Sequence, residues 1–131
     1  MQFAIVTLFP EMFIGAFDHS IIKRAQDKKL VNINLIQLRD FAIDKRGTVD
    51  DKPYGGGIGM LLMPGPIFNA VRSIKKSEKS KTILLSAKGK RLTQEKVREL
   101  ATFDQIILIC GRYEGVDERV AQHLHIFRKL K

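Results

Sequence analysis

One cysteine, no tryptophan and three histidines occur among the 131 residues. The lone thiol, Cys110, cannot close an internal disulfide and fits a reducing compartment, so a cytoplasmic location is expected. As part of an apolar stretch, Cys110 reads as a small buried hydrophobe. His19, His123 and His125 have no partner cysteine and no zinc-ligand spacing, and no metal site is expected. Four prolines and ten glycines are too few to mark disorder. Apolar runs stay well short of a bilayer span, and no membrane association is expected. The N-terminus lacks the basic, apolar and small-residue succession of a secretory signal. Missing too are a G-x-G-x-x-G fingerprint and a Walker A loop, which argues against ordinary dinucleotide and P-loop sites. Nor does any Ser-His-Asp spacing support a hydrolase triad. Internal repeats, linkers and low-complexity segments are not seen.

The length suits one domain, and 44% hydrophobic residues can build a core. Net charge is +9, and the excess is local: between positions 72 and 98, ten Lys or Arg face only Glu78 and Glu95. Such a run suits either a polyanion such as nucleic acid or a solvated surface. Residues 2–9 read as a buried strand. Pro10 can open a helix in which Phe13, Phe17 and Ile21, spaced by four, share a core-facing side through about Lys29. Alternation over 31–38 predicts a second strand. Residues 41–63 hold too many glycines and charges for regular structure and read as a long loop, a common seat of function. Pro66 can open a helix with Ile67, Ala70, Val71 and Ile74 on one side. Residues 77–81 form a polar connector, 82–85 a short strand and 86–90 a loop. Thr93 can cap a helix bearing Val97, Leu100 and Ala101. Residues 105–110 are the last clear strand. Alternating strands and helices predict an α/β domain with a mostly parallel sheet.

Two strand ends carry the most unusual loops. Leu84-Leu85-Ser86-Ala87-Lys88-Gly89 leaves one, and Ile109-Cys110-Gly111-Arg112-Tyr113-Glu114-Gly115 leaves the other. Ligands of open parallel sheets bind beyond the carboxyl ends of the strands. Side by side, these loops would offer backbone N–H and C=O groups to an adenine or ribose, with Gly111 and Gly115 permitting close approach. A further glycine-rich stretch, Asp50-Asp51-Lys52-Pro53-Tyr54-Gly55-Gly56-Gly57-Ile58-Gly59-Met60, reads as a phosphate loop or as a plain turn. Glu114, Asp117, Glu118 and Arg119 read as surface ion pairs or, beside the glycine turn, as contacts to a cationic ligand and RNA.

With those motifs in hand, the chain resembles the N-terminal part of bacterial tRNA (guanine-37-N1)-methyltransferases of the SPOUT class. The matching segments are Leu8-Phe9-Pro10-Glu11-Met12-Phe13, Arg39-Asp40-Phe41, Thr48-Val49-Asp50-Asp51, Pro53-Tyr54-Gly55-Gly56-Gly57, Gly59-Met60, Leu85-Ser86 and Cys110-Gly111-Arg112-Tyr113-Glu114-Gly115-Val116-Asp117-Glu118-Arg119. The resemblance implies a parallel α/β sheet with helices on both faces and a SPOUT-like trefoil knot, incomplete in this chain. It implies S-adenosylmethionine as methyl donor, tRNA as substrate, methylation at N1 of guanine 37, and a homodimer with active sites between subunits. By motif match, Leu85, Ser86, Gly111, Tyr113 and Gly115 would line the cofactor pocket, and Glu114 would stand beside cofactor and target base. Asp50 and Gly55, Gly56, Gly57 and Gly59 would lie near the RNA or the opposing subunit.

Two departures follow from the same match. Ala87 and Lys88 stand where the family has proline and glutamine. After about Gln122 the chain reads His123-Leu124-His125-Ile126-Phe127-Arg128-Lys129-Leu130-Lys131, and no position matches the family's second cofactor loop, its general-base aspartate or its tRNA-gripping C-terminal domain. Residues 1–131 are thus expected to form a truncated SPOUT-type domain, binding cofactor weakly or not at all and not turning over alone. The alternatives are a non-catalytic RNA-binding or dimerising remnant and a poorly folded product.

Overall fold

An uninterrupted apolar run such as Ile106, Ile107, Leu108 and Ile109 needs cover on both faces, which a parallel sheet provides. In the computed structural model, which describes residues 1–42, 50–51, 61–62, 64–111 and 127–130, this run forms the central strand. The strands are β1 (Gln2–Thr7), β2 (Asn32–Gln37), β3 (Asp50–Asp51), β4 (Leu61–Leu62), β5 (Ser80–Lys90), β6 (Gln105–Cys110) and β7 (Phe127–Leu130). The helices are α1 (Glu11–Phe17), α2 (Ser20–Asp27), α3 (Pro64–Ser73) and α4 (Gln94–Leu100), with a 3-10 turn at Leu38–Phe41. Five strands pair in parallel in the order β2-β1-β6-β5-β7, while β3 and β4 form a separate antiparallel pair.

Alternation along each strand sorts the core into two halves. On one face Ala4, Val6, Leu8, Leu84, Ile107 and Ile109 pack against Leu38 and the α3 residues Ile67, Ala70 and Val71, with Ile74 beside them. On the other face Ile83 and Ile106 pack with Phe3, Leu108, Leu100 and Phe103. Helices therefore cover both faces, as the mostly parallel α/β reading expects.

Several expectations change in detail. The single helix expected from Pro10 to about Lys29 is two: Asp18 and His19 leave helical geometry, and Ser20 restarts the chain at φ 62°. The restart turns the second helix out of register with the first. Phe13 and Phe17 stay together, ring centroids 5.6 Å apart, but Ile21 is 75% exposed and is not core. The helix expected at Pro66 begins at Pro64. The polar connector over 77–81 is shorter, because Ser80 and Lys81 already pair with Gln105 and Ile106. Thr93 caps α4 as expected, its hydroxyl accepting the Lys96 backbone N–H at 3.2 Å.

Residues 86–90, expected as a loop, belong to β5, although its ladder is irregular. Leu85 and Lys90 both pair with Leu130, so Ser86 through Gly89 are squeezed out of register. Nor is β6 the last strand, since β7 adds an edge beyond β5. An edge strand hydrogen-bonds on one side only and tolerates a basic sequence such as Phe127-Arg128-Lys129-Leu130. The knot expectation rests on residues outside those described, as do His123 and His125.

The burial pattern sets a contrast between two isoleucines. Ile107→Ala empties a fully buried site and should cost about 2–5 kcal/mol, whereas Ile21→Ala should change stability by about 0.5 kcal/mol or less. Urea unfolding of both variants measures this, and equal losses would contradict the two-faced core.

Candidate functional site at the carboxyl ends of β5 and β6

Backbone pairing brings the two loop-bearing strand ends together. Ile83 pairs with Leu108, Leu84 with Ile109 and Leu85 with Cys110. Ser86 and Gly111 are the next residues along the chain, and both stand at the same end of the sheet. On its other side Leu85 pairs with Leu130 of β7. Three parallel strands thus finish side by side, and the squeezed-out segment that begins at Ser86 starts there.

That irregularity has a chemical consequence. Residues displaced from a regular ladder present their backbone in an irregular geometry at the end of the sheet. Leu85 is 39% exposed despite its position in the sheet, Ser86 is half-buried and Gly111 is exposed. An apolar side chain, a hydroxyl and a bare backbone position therefore share one rim. Such a rim can hold a flat heterocycle against Leu85 and hydrogen-bond its edge to backbone groups.

Cys110, expected to be buried, is half-buried, and that burial pushes its thiol up from the ordinary value. It lies one residue before the exposed Gly111, where the sheet opens. Neutral at physiological pH, the thiol is a poor nucleophile here.

The same end of the sheet includes the exit of β1, which the sequence reading took only as a motif. The Thr7 hydroxyl accepts the Phe9 N–H at 3.1 Å, and the Gln37 side-chain amide donates to the Leu8 carbonyl at 3.3 Å. Both bonds fix the turn at Leu8 and Phe9. The alternating pattern of β2 did not distinguish Gln37 as the group tying β1 to the following 3-10 turn.

Other expected site residues fall elsewhere. Asp50 pairs with Leu62, and Asp51 with Leu61, in the separate two-stranded ladder. The pairing places Asp50 outside the five-stranded sheet. Gly55, Gly56, Gly57, Gly59, Tyr113, Glu114 and Gly115 lie outside the described residues, as do Asp117, Glu118 and Arg119. The basic run between 72 and 98 does not form one patch around this site. It is divided among the α3–β5 connector, β5 and α4, where Lys96 pairs with Glu99. Beneath α4 lies an apolar groove of about 370 Å³, with Leu85, Leu92, Val97 and Leu108 among its walls. Among the described residues no group of histidines, cysteines and carboxylates could hold a metal ion. Nor is any described helix long and apolar enough to cross a membrane.

Comparison with known proteins finds relatives over almost the whole chain. The profile of the family described as tRNA (Guanine-1)-methyltransferase TrmD matches residues 1–128. A tRNA (guanine-N(1)-)-methyltransferase of Dictyoglomus turgidum is 60% identical over 120 residues, covering 92% of this chain and 49% of the relative. One of Staphylococcus epidermidis is 50% identical over 124 residues, covering 95% and 51%. The chain spans about half the length of these curated relatives. The crystal structure of a tRNA (m1G37) methyltransferase from Aquifex aeolicus superposes with a TM-score of 0.86 at 38% identity, over all of this chain and 60% of that one.

The burial of Cys110 generates a pH prediction. The folded state holds the thiol proton to higher pH than the unfolded chain, so it binds more protons above the ordinary thiol value. Stability from this group should therefore fall as pH rises through that value. Alkylation by iodoacetamide should also be slower in the folded protein than in urea at the same pH. Faster reaction when folded would contradict the assignment.

Proposed function

The chain belongs to the tRNA (guanine-1)-methyltransferase TrmD family, and from that premise we propose that it carries the donor-binding part of a SPOUT-type methyltransferase. The reaction is transfer of a methyl group from S-adenosylmethionine to N1 of guanine 37 in tRNA. The observation that supports this reading is the pairing of Leu85 with Cys110, which puts Ser86 beside Gly111. Leu85, Ser86 and Gly111, with Tyr113 and Gly115 of the same motif, line the donor pocket. The residues present fit the group. Exposed Leu85 suits an adenine face, and the exposed backbone of Gly111 suits close approach of its polar edge.

When bound, S-adenosylmethionine supplies a methyl group already activated on a sulfonium. The chain's own tasks are then to orient the donor and hold the base in line, while removal of the N1 proton falls to a general base. Glu114 is the carboxylate of the motif assigned beside donor and base. Asp50 and Gly55, Gly56, Gly57 and Gly59 lie toward the RNA or the second subunit of a homodimer. The target guanine must be unstacked to be reached, and a cationic protein of net charge +9 favours a polyanion. This work belongs in the cytoplasm.

A transfer assay with labelled donor and unmodified tRNA tests the proposal. The chain joined to the second half of a relative is assayed beside the chain as it stands, which provides the baseline. The joined protein should methylate guanine at N1, and Gly111→Val should slow it about a hundredfold through misplacement of the donor. Absence of methylation at N1 would overturn the function. Methylation unaffected by Gly111→Val would overturn the pocket. Binding of tRNA without any transfer would favour a non-catalytic RNA-binding role.

A further inference from the structure

The opposite end of the sheet carries a second concave surface that the methyl-transfer site does not use. At the amino ends of three neighbouring strands, Gln2 pairs with Asn32 on one side and with Gln105 on the other. A row of three side-chain amides therefore crosses β2, β1 and β6. Strands lie about 4.8 Å apart, so the row spans about 10 Å, comparable to the edge of a nucleobase. Asn34 stands one step further on the same face, since Asn32 and Asn34 both line the cleft. The cleft has a volume of about 330 Å³, and Gln2, Asn32, Asn34, Phe41, Ser73 and Lys75 are among its walls.

The four amides are not equivalent. Gln105 is 3% exposed, and both ends of its amide are engaged. It donates to the Lys75 carbonyl at 3.1 Å and accepts the Ser77 N–H at 2.9 Å. That bracket fixes the connector between α3 and β5 and sets Lys75 at the mouth of the cleft. Gln2, Asn32 and Asn34 are exposed, and their side-chain amides have no hydrogen-bond partner among the described residues. Each offers a donor and an acceptor into the cleft.

Charge at this end of the sheet has one dominant sign. Lys76 and Lys79 follow Lys75 on the connector, and Lys28 and Lys29 occupy the turn leading into β2; all are exposed. Lys79 and Lys81 both lie over the Phe103 ring, 6.0 and 5.7 Å from its centroid, on the opposite face of the sheet from the cleft. Among the described residues, Glu78, Asp104 and Asp27, which pairs with Lys23, are the acids at this end, outnumbered by the lysines. Free amides read base edges, ring surface from Phe41 offers a flat wall, and lysines hold phosphates.

We propose that this amino-end cleft binds an unpaired nucleotide of RNA, with Asn32 and Asn34 on the base and Lys75 on its phosphate. The proposal rests on the tRNA reading above and adds a second contact to it. Five residues of β6 at about 3.3 Å each put the cleft about 17 Å from the donor site. A folded RNA could engage both ends of the sheet at once.

Fluorescence anisotropy with labelled unmodified tRNA, over a series of salt concentrations, tests this contact. Asn32→Ala combined with Asn34→Ala should weaken binding about tenfold with the salt slope unchanged. Lys75→Ala should weaken binding and lower the slope by about one phosphate contact. Both asparagines are exposed, and circular dichroism verifies that the variants fold. In the unaltered protein, the side-chain NH2 signals of Asn32 and Asn34 should shift in NMR spectra when tRNA is added. If the unaltered chain binds tRNA while the variants bind equally well and the signals stay in place, the cleft is overturned and the family reading stands. If the folded chain does not bind tRNA at all, the tRNA reading falls and the cleft falls with it.

Discussion

Burial of β6 on both of its faces is the constraint from which the rest follows. Ile107 and Ile109 are fully buried against the α3 side, and Ile106 is nearly so on the other. A strand apolar on both sides must sit between two others and under helices on both faces. Once it does, β1 and β5 flank it in parallel, and every strand of the sheet points its carboxyl end the same way. Parallel register then decides which loops meet. Leu85 arrives beside Cys110, and Gln2 arrives between Asn32 and Gln105. The two ends of the sheet acquire different chemistry from a single packing decision, with an irregular ladder beside exposed Gly111 at one end and exposed amides beside Lys75 at the other.

Much of this was legible in the residues. Alternation in β2 and the apolar block of β6 carry their own period, and Thr93 marks a helix start by its hydroxyl. The adjacency of Leu85 and Cys110 was legible because parallel sheets collect strand exits at one end. The break between α1 and α2 was not, since Phe13, Phe17 and Ile21 keep a helical spacing through it. Only the positive φ of Ser20 shows that the spacing no longer describes one face. The strand at β7 was hidden for a different reason. Its basic sequence has no apolar alternation, and edge position rather than side-chain pattern accounts for it.

The amide row was invisible for a third reason. Gln2, Asn32 and Gln105 lie far apart in sequence, and nothing in their own neighbourhoods suggests that they meet. Polar residues at the first positions of strands read as ordinary strand boundaries. Register alone makes them a surface. Conversely, the basic run between 72 and 98 looks like one patch in the sequence, yet the fold distributes it over the α3–β5 connector, β5 and α4. Sequence proximity overstated one cluster and concealed another.

At the candidate donor site, Leu85, Ser86 and Gly111 are brought to one rim, and Asp50 is set apart in its own ladder. The claim that the exits of β5 and β6 form a single pocket for a methyl donor is open to direct measurement. Backbone amide NMR during titration with S-adenosylmethionine reads it residue by residue, and it registers weak as well as tight binding. The account predicts that the signals of Leu85, Ser86 and Gly111 move together along one binding curve while those of Gln2 and Asn32 stay fixed. Shifts confined to the amino end of the sheet or to the groove beneath α4, with Ser86 and Gly111 unmoved, would contradict it.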